Sequence, residues 1–231
     1  QLLSPGCLHV RAGRIVRVWE GTDAAAVDLG DVALLPGLIN THTHLEFSDL
    51  EHPLAAGATF PEWIRTVIQS RRLRTTDSRD ALTKGWNESQ QSGIAAIGEI
   101  ATSDECFDLL QAAGAAGVVF REVLGLQDDA VERGLETARR FLTCDDHPAE
   151  GDASTVTLQR GLSPHAPYSL HPQLFRGLID LAVQSRAAVA MHLAETHEEL
   201  DLLMRHRGGL VELLQSLGLW RAEAFADYRQ P

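Results

Sequence analysis

Cysteine is scarce in this chain, and its few cysteines are scattered. Cys7, Cys106 and Cys144 are the only three among 231 residues, and no two of them form a Cys-x-x-Cys pair. An odd number of widely spaced cysteines predicts no disulfide framework and fits a reducing compartment better than an oxidising one. We therefore expect a cytoplasmic protein.

Basic residues and long apolar runs are also lacking. Twenty basic residues stand against thirty-two acidic ones, and the net charge of −12 disfavours binding to nucleic acid or to an anionic membrane. No apolar run is long enough to predict a transmembrane helix. Hydrophobic residues nevertheless make up 44% of the chain, which is enough to bury a core. We expect a globular protein that binds neither nucleic acid nor a membrane.

The start of the chain differs from the rest. Apolar and polar residues alternate on both sides of the turn Ala12-Gly13, which predicts a β-hairpin. Residues 1–35 are too few to bury a core by themselves, so we expect them to be part of a small composite β domain. Residues 36–231 would then form the main domain.

The main domain alternates between strand-like and helix-like patterns five times. The predicted strands are Leu34–His44, Gly93–Ile100, Ala116–Leu124, Thr155–Ser163 and Ala187–Leu193. The predicted helices are Pro61–Gln91 (as two helices or one broken helix), Asp104–Ala113, Ala130–Leu142, Pro172–Ser185 and His197–Leu217. Thr196 and Glu199 fit a capping box at the start of the last helix.

This alternation, with strongly apolar strands, predicts an α/β fold in which a parallel sheet packs under helices. A (β/α)8 TIM barrel takes about 250 residues, whereas residues 36–231 hold only about five βα units. We therefore expect a barrel that is truncated after about five units. An open doubly wound sheet is the alternative, although the glycine-rich nucleotide fingerprint that often accompanies it is absent.

Two histidines end the first strand of the main domain. His42 and His44 are separated by one residue, and residues two apart on a strand point to the same face. Imidazole is a common ligand of zinc and also suits iron, copper and nickel. A His-x-His pair can also be an ordinary surface or turn feature. The apolar strand before this pair and the polar cluster downstream favour half of a catalytic metal site.

The other predicted strands also end in polar residues, which a parallel barrel would bring to one rim. His192 is the natural third ligand, since three protein ligands and one open position are typical of catalytic zinc. Three residues later, Glu195 could carry a proton from nucleophile to leaving group. The alternative for His192 is a buried histidine bonded to backbone, and the alternative for Glu195 is a charge that favours the N-terminus of a helix. The polar residues at these strand ends are Glu99, Arg121, Glu122, Ser163, His165, His192 and Glu195.

Three segments together resemble the amidohydrolase superfamily, namely His42–Ser48, Ser163–Ser169 and His192–Thr196. More narrowly, they are similar to its cytosine-deaminase-like branch, which includes triazine chlorohydrolases, guanine deaminases and adenosine-type deaminases. The first segment and Phe120–Gly125 are similar to aminofutalosine deaminases. The resemblance implies a TIM barrel of amidohydrolase type and a metal-dependent hydrolase acting on carbon–nitrogen bonds other than peptide bonds.

The resemblance also implies a metal centre and a catalytic group. His42, His44 and His192 match three ligands of one divalent ion, zinc in the first place and iron as the alternative. Glu195 matches the glutamate that moves protons to the substrate ring nitrogen and to departing ammonia.

Substrate-binding residues follow from the same resemblance. His165 matches a histidine that touches substrate, with a cap on the following loop as its structural alternative. Arg121 could orient a ribosyl or carboxylate group, and Glu62 resembles a substrate-facing glutamate. Both have ordinary structural roles as alternatives.

The leading hypothesis is a hydrolase that deaminates an amino-substituted N-heterocycle, of the adenosine or aminofutalosine type, by attack of metal-bound hydroxide. A triazine-type chlorohydrolase or a cyclic amidohydrolase would use the same metal-bound water. From another class, a catalytically inactive barrel fragment could act as a scaffold. Related enzymes are often dimers, so a homodimer is a further expectation.

The family pattern also includes a histidine after the sixth strand and an aspartate after the eighth. Neither is found in this chain. We therefore expect the chain to be the N-terminal portion of a longer enzyme and to be inactive by itself.

Overall fold

The computed structural model describes residues 3–55, 57, 59–143 and 157–229. The chain divides into two compact units, residues 1–36 and 37–231. In the first unit, β1 (Gly6–Arg11) and β2 (Arg14–Glu20) pair antiparallel, so the predicted hairpin is confirmed. That this hairpin belongs to a composite β domain stays a prediction.

The second unit alternates strands and helices. Its strands are β3 (Leu38–Thr43), β4 (Ile94–Ala101), β5 (Gly117–Val123) and β6 (Leu158–Pro164). Its α-helices are α1 (Phe60–Leu73), α2 (Ser78–Gln91), α3 (Glu105–Ala112), α4 (Asp128–Thr143), α5 (Pro172–Ser185), α6 (His197–Arg205) and α7 (Gly209–Ser216). Short 3-10 helices lie at Leu45–Phe47, Pro167–Ser169 and Ala222–Arg229.

The strands of this unit form one parallel sheet in the order β3-β4-β5-β6. Parallel neighbours need a crossover connection between them, and the helices that follow β3, β4 and β5 belong to these connections. The predicted α/β fold with a parallel sheet is confirmed. Among the described residues the sheet has four strands and no closed barrel. Residues 155 and 156, the start of a predicted strand, lie outside the described residues.

The prediction of a fifth continuous strand, Ala187–Leu193, is wrong for the described structure. This segment runs beside β6 but is joined to it by an isolated parallel bridge between Leu162 and Val189. Further along, the His192 amide donates a hydrogen bond of 2.9 Å to the carbonyl oxygen of His165. The segment therefore follows the sheet edge closely enough to bring His192 beside the end of β6.

The predicted helix His197–Leu217 is wrong in its continuity. It consists of α6 and α7, and the chain between them turns at His206 and Gly208, which have φ angles of 52° and 94°. Residues in this left-handed region commonly end helices. By contrast, Pro61–Gln91 is predicted to form either two helices or one broken helix, and the structure has two, α1 and α2.

Helices cover one face of the sheet. Alternate residues of β4 and β5 (Ile97, Ala101, Val119 and Val123) pack into an apolar core with side chains of α2, α3, α4 and α5, and each is at most 5% exposed. The intervening residues of these strands point to the opposite face. A helix long and apolar enough to cross a membrane is not found among the described residues.

Candidate metal centre

The three histidines expected to bind metal lie together at the carboxyl end of the sheet. The ring centres of His42 and His44 are 5.1 Å apart, and that of His192 lies 4.9 Å from His42 and 5.4 Å from His44. One ring nitrogen of each lies within 4.8 Å of the others. Since zinc–nitrogen bonds are about 2.0–2.1 Å long, a small inward movement of the rings would place all three on one ion.

The two histidines of the His-x-His pair are already in the form that binds a metal. Burial lowers the pKa of His44 to about 4, and burial followed by the charge of His192 lowers the pKa of His42. Both are therefore neutral at pH 7. The Nδ1 atom of His44 is buried and has no hydrogen-bond partner among the described residues. A set of neutral imidazoles suits zinc or iron, so these residues fit a divalent ion.

His192 differs because a carboxylate flanks each of its ring nitrogens. Its Nε2 lies 3.6 Å from Oε1 of Glu122, and its Nδ1 lies 3.4 Å from Oε1 of Glu195. These two carboxylates, Glu122 first, raise the pKa of His192 to about 9. In the metal-free protein His192 is therefore a cation at neutral pH. A metal that binds here must displace that proton.

Glu122 is the most enclosed carboxylate of the centre. Its side chain is 1% exposed, and neither oxygen has a hydrogen-bond partner among the described residues. Burial acts to raise its pKa, but His192, His165 and His44 outweigh burial and lower it. Glu122, His165 and His192 form a second group close enough to hold an ion. Both groups contain His192. Once it has lost its extra proton, its imidazole has one free nitrogen and can bind one ion, so the two groups describe one centre rather than two.

Glu195 lies on the open side of the centre. Its side chain is 36% exposed, and its Oε2 accepts a hydrogen bond of 3.4 Å from the Tyr168 hydroxyl. The contact with His192 outweighs burial and keeps the pKa of Glu195 below its ordinary value. Glu195 is therefore a carboxylate at neutral pH. A carboxylate beside the histidines and open to solvent can take up and deliver a proton.

His165 extends the cluster beyond the end of β6. Its ring centre is 5.2 Å from that of His192, and its Nδ1 is 2.6 Å from Oγ of Ser169. The Ser169 hydroxyl donates its own proton to the carbonyl of Ala166 at 2.9 Å, so this network assigns the His165 proton to Nδ1. Its Nε2 lies 4.0 Å from Glu122. His165 thus fixes the following loop and also faces the centre.

The model of the amidohydrolase family matches residues 33–225, which include every residue of this cluster. The chain belongs to the amidohydrolase family. An adenosine deaminase from Helicobacter pylori is 27% identical over 175 residues, which are 76% of this chain and 41% of that protein. A 5-methylthioadenosine/S-adenosylhomocysteine deaminase from Carboxydothermus hydrogenoformans is 25% identical over 222 residues, which are 94% of this chain and 50% of that protein.

A solved structure is similar as well. The amidohydrolase superposes on Helicobacter pylori aminofutalosine deaminase in complex with methylthio-coformycin with a TM-score of 0.67 and 25% identity. The match covers 78% of this chain and 42% of that one. The chain therefore spans about half, or somewhat less, of the length of the relatives it matches.

Two residues expected to bind substrate in this amidohydrolase make hydrogen bonds to other parts of the protein. Arg121 precedes Glu122 on β5 and so points to the opposite, helix-covered face. Its Nε donates to Oδ1 of Asp104 at 2.7 Å, and its Nη1 donates to the carbonyl of Glu122 at 2.8 Å. Glu62 is exposed on the first turn of α1, where its carboxylate accepts a hydrogen bond of 3.1 Å from the Thr59 amide. Both residues have structural contacts in this position.

From β5 it is Glu122 that faces the histidines, and not Arg121 as predicted from the sequence. The signal was present, because neighbouring residues on a strand face opposite ways, so only one member of the Arg121-Glu122 pair could face the histidines. Both faces of β5 carry apolar residues, Val119 and Val123 on one and Val118 and Phe120 on the other, and the apolar pattern therefore did not say which. The choice depends on how β5 pairs with β4 and β6.

Glu99 is a buried acid that fixes the chain just after the His-x-His pair. Its side chain is 0% exposed, and its two oxygens lie 3.0 and 3.1 Å from the amide nitrogen of Leu45, which donates to them. Cys106 Sγ lies 3.9 Å away. Burial raises the pKa of Glu99 from 4.5 to about 9. Glu99 is thus a neutral acid at pH 7 that ties the residue after His44 to β4.

This pKa predicts a pH-dependent stability. Between pH 4.5 and 9 Glu99 is protonated in the folded protein and ionised in the unfolded one, so folding takes up a proton and the free energy of unfolding falls as pH rises. The loss is at most about 1.4 kcal/mol per pH unit. We expect Glu99→Gln, which is neutral throughout, to lose stability less steeply than wild type between pH 5 and 8 in urea unfolding.

The matched control for this measurement is Glu88→Gln, which removes a carboxylate with 60% exposure on α2. Its pH dependence should follow wild type. Parallel stability curves for wild type and Glu99→Gln would show that Glu99 does not hold its proton in the folded protein.

Proposed function

We propose that the full-length protein hydrolyses an amino-substituted N-heterocycle of the purine-nucleoside type and releases ammonia. The observation that carries this proposal is the convergence of His42, His44 and His192 on one point with Glu195 beside them. Three imidazoles with an open side suit catalysis rather than a closed structural site. The deaminases among the relatives support the choice of reaction.

One divalent ion fits this centre. His42, His44 and His192 would hold it, and we propose zinc, with iron as the alternative. When bound, such an ion lowers the pKa of a water molecule and makes a nucleophile available at neutral pH.

The side chains around the centre would manage the protons. Water adds to the ring carbon that bears the amino group, the carbon–nitrogen bond breaks, and ammonia leaves. Glu195 is a carboxylate at neutral pH and would take one proton of the attacking water and pass it to the ring nitrogen. The second proton of that water, on the hydroxyl group of the adduct, would then go by way of Glu195 to the leaving amine, which departs as ammonia while the ring carbonyl forms. The Tyr168 hydroxyl, bonded to Glu195, would help to orient it. His165 would bind the substrate.

Aromatic side chains near the open side suit a planar ring. Phe60 stacks on Trp63 with ring centres 5.8 Å apart and meets the edge of Tyr168 at 6.2 Å. Trp63 is 39% exposed. Base rings stack readily on exposed aromatic side chains, which supports a heterocyclic substrate.

Location and assembly belong to the same proposal. The scattered cysteines support the cytoplasm, and a small nucleoside-like molecule is the proposed partner. A homodimer, and the lack of nucleic-acid and membrane partners, stay predictions from the sequence.

The test is a product assay on the full-length, zinc-loaded protein. The panel would hold adenosine, 5′-methylthioadenosine, S-adenosylhomocysteine, guanine, a pterin, a chlorotriazine and a cyclic amide, with ammonia and chloride both measured. Ammonia from a purine nucleoside, abolished by Glu195→Gln, is the expected result. Chloride release or ring opening without ammonia would replace deamination by one of the alternative hydrolyses. A full-length protein that binds no metal and releases no product would favour the scaffold hypothesis.

A further inference from the structure

Glu199 is a fully buried carboxylate directly behind the proposed catalytic turn. It lies on the first turn of α6 and is 0% exposed. Its Oε2 accepts a hydrogen bond of 2.9 Å from the Glu195 amide, and its own amide donates to Oγ of Thr196 at 3.3 Å. In a capping box the carboxylate returns to the amide of the capping residue. Here it reaches one residue further, to Glu195.

Capping alone does not account for this burial. A carboxylate on the first turn favours a helix from an exposed position too, whereas a buried one is costly unless it is hydrogen-bonded. The second oxygen of Glu199, Oε1, has no partner among the described residues. Within the part of the chain that the structure describes, the one hydrogen bond of the Glu199 side chain is the one it accepts from the Glu195 amide.

The chain between His192 and Glu195 needs such a support. Ala194 has a φ of 56°, a left-handed conformation that residues other than glycine adopt at a cost. This turn decides where the Glu195 side chain begins. The Glu195 carboxylate then meets His192 and Tyr168 at 3.4 Å each, distances that a shift of the backbone would lengthen.

We infer that Glu199 is a positioning residue, which holds the Glu195 backbone so that the Glu195 carboxylate stays between His192 and the substrate. This inference rests on the proposed function. Outer-shell partners of this kind typically change activity by about 10-fold to 100-fold when they are removed.

Two conservative variants of the full-length protein separate geometry from charge. Glu199→Gln keeps the length and an accepting oxygen but loses the charge, whereas Glu199→Asp keeps the charge but withdraws the acceptor by one methylene. We expect kcat of Glu199→Asp to fall about 10-fold or more with KM within about twofold, and Glu199→Gln to stay within about threefold of wild type. Metal content should be unchanged in both. Glu198→Asp, a neighbouring carboxylate on α6, is the matched control.

A readout without turnover comes from amide hydrogen exchange in the metal-free protein. Exchange at the Glu195 amide should rise about tenfold or more in Glu199→Asp, because the acceptor is withdrawn, and remain near wild type in Glu199→Gln. If Glu199→Asp keeps full kcat and a protected Glu195 amide, or if Glu199→Gln is the damaged variant, the inference is overturned.

Failure of the inference and failure of the proposed function give different results. If Glu195→Gln is inactive while Glu199→Asp is fully active, the proposed function stands and Glu199 has no positioning role. If Glu195→Gln keeps wild-type activity, the proposed function loses its proton carrier. If the inference and the proposed function are both correct, the double variant Glu195→Gln/Glu199→Asp should be no slower than Glu195→Gln alone, since both changes act through one carboxylate.

Discussion

Replacing His192 with alanine in the full-length protein should remove the bound metal and the hydrolytic activity together. His192 is one of three imidazoles whose nitrogens lie within 4.8 Å of one another, and the other two cannot complete a catalytic site with three protein ligands. A catalytic metal contributes several kcal/mol to the transition state, so kcat/KM should fall at least about a thousandfold. Metal content by elemental analysis and ammonia release are the measurements.

The same residue should make metal affinity depend on pH. His42 and His44 are neutral at pH 7, but the pKa of His192 is about 9 in the metal-free protein. Metal binding must therefore release one proton from His192 below pH 9, and the affinity should rise about tenfold for each pH unit up to that point. Competition with a chelator from pH 6 to 9 measures this slope. The residual affinity of His192→Ala should show a weaker slope.

The control is His197→Ala, an exposed histidine at the start of α6. It lies outside the cluster and should retain both metal and activity. If the His192→Ala protein still holds one equivalent of metal and releases ammonia at the wild-type rate, His192 is not a metal ligand. The cluster that includes Glu122 and His165 would then need another role.

The alternation of strands and helices was predictable from the sequence because β3 to β6 and their helices carry strong apolar patterns. The segment Ala187–Leu193 shows the limit of that reasoning. It is apolar enough for a strand, but a continuous ladder also needs hydrogen-bonding neighbours, and here one isolated bridge joins it to β6. Pattern predicts which face is buried, whereas pairing depends on the rest of the sheet.

Helix continuity was harder to predict for a related reason. An apolar stripe continues through residues 197–217, but His206 adopts a φ of 52° and ends α6. Histidine carries no strong signal for that conformation, unlike Gly208 two residues later. The energetic cost of this turn is offset because it lets α6 and α7 both bury their apolar faces in one cluster, which includes Phe225.

The candidate site was predictable where one residue type has one plausible chemistry. His42, His44 and His192 were found because several imidazoles at the ends of neighbouring apolar segments are typical of a metal site, and the structure places them together. Charged residues such as Arg121 and Glu62 can serve a substrate, a helix cap or an ion pair. Only the packing around each decides among these, and here it favours Asp104 and Thr59 as their partners.

Buried carboxylates were the least predictable part of the site. In the sequence Glu99 stands at a predicted strand end and Glu199 fits a capping box, but neither pattern predicts that the side chain is fully buried, as both are. Glu99 accepts a hydrogen bond from the amide of Leu45, which follows His44, and Glu199 accepts one from the amide of Glu195 itself. Their roles come from hydrogen bonds between segments far apart in sequence or across a turn, which no local pattern reveals.

Glu195→Gln should lower kcat by about 10²-fold to 10⁴-fold and leave the metal in place. Glutamine has nearly the same shape and can still accept the hydrogen bond from Tyr168, but it has no titratable proton to carry. The Glu195 backbone bond to Glu199 is unchanged by this substitution. Steady-state kinetics of ammonia release, with metal content measured on the same samples, tests the expectation.

Tyr168→Phe is the matched control for this prediction. It removes the hydroxyl that bonds Oε2 of Glu195 at 3.4 Å but leaves the carboxylate and its contact with His192. The effect on kcat should be much smaller than that of Glu195→Gln, because orientation is weakened while proton transfer is retained. If Glu195 acted only as a charge at the start of α6, Glu195→Gln would cost about 0.3–1 kcal/mol of stability and leave kcat unchanged. That outcome would contradict a proton-carrying role and separate it from helix stabilisation.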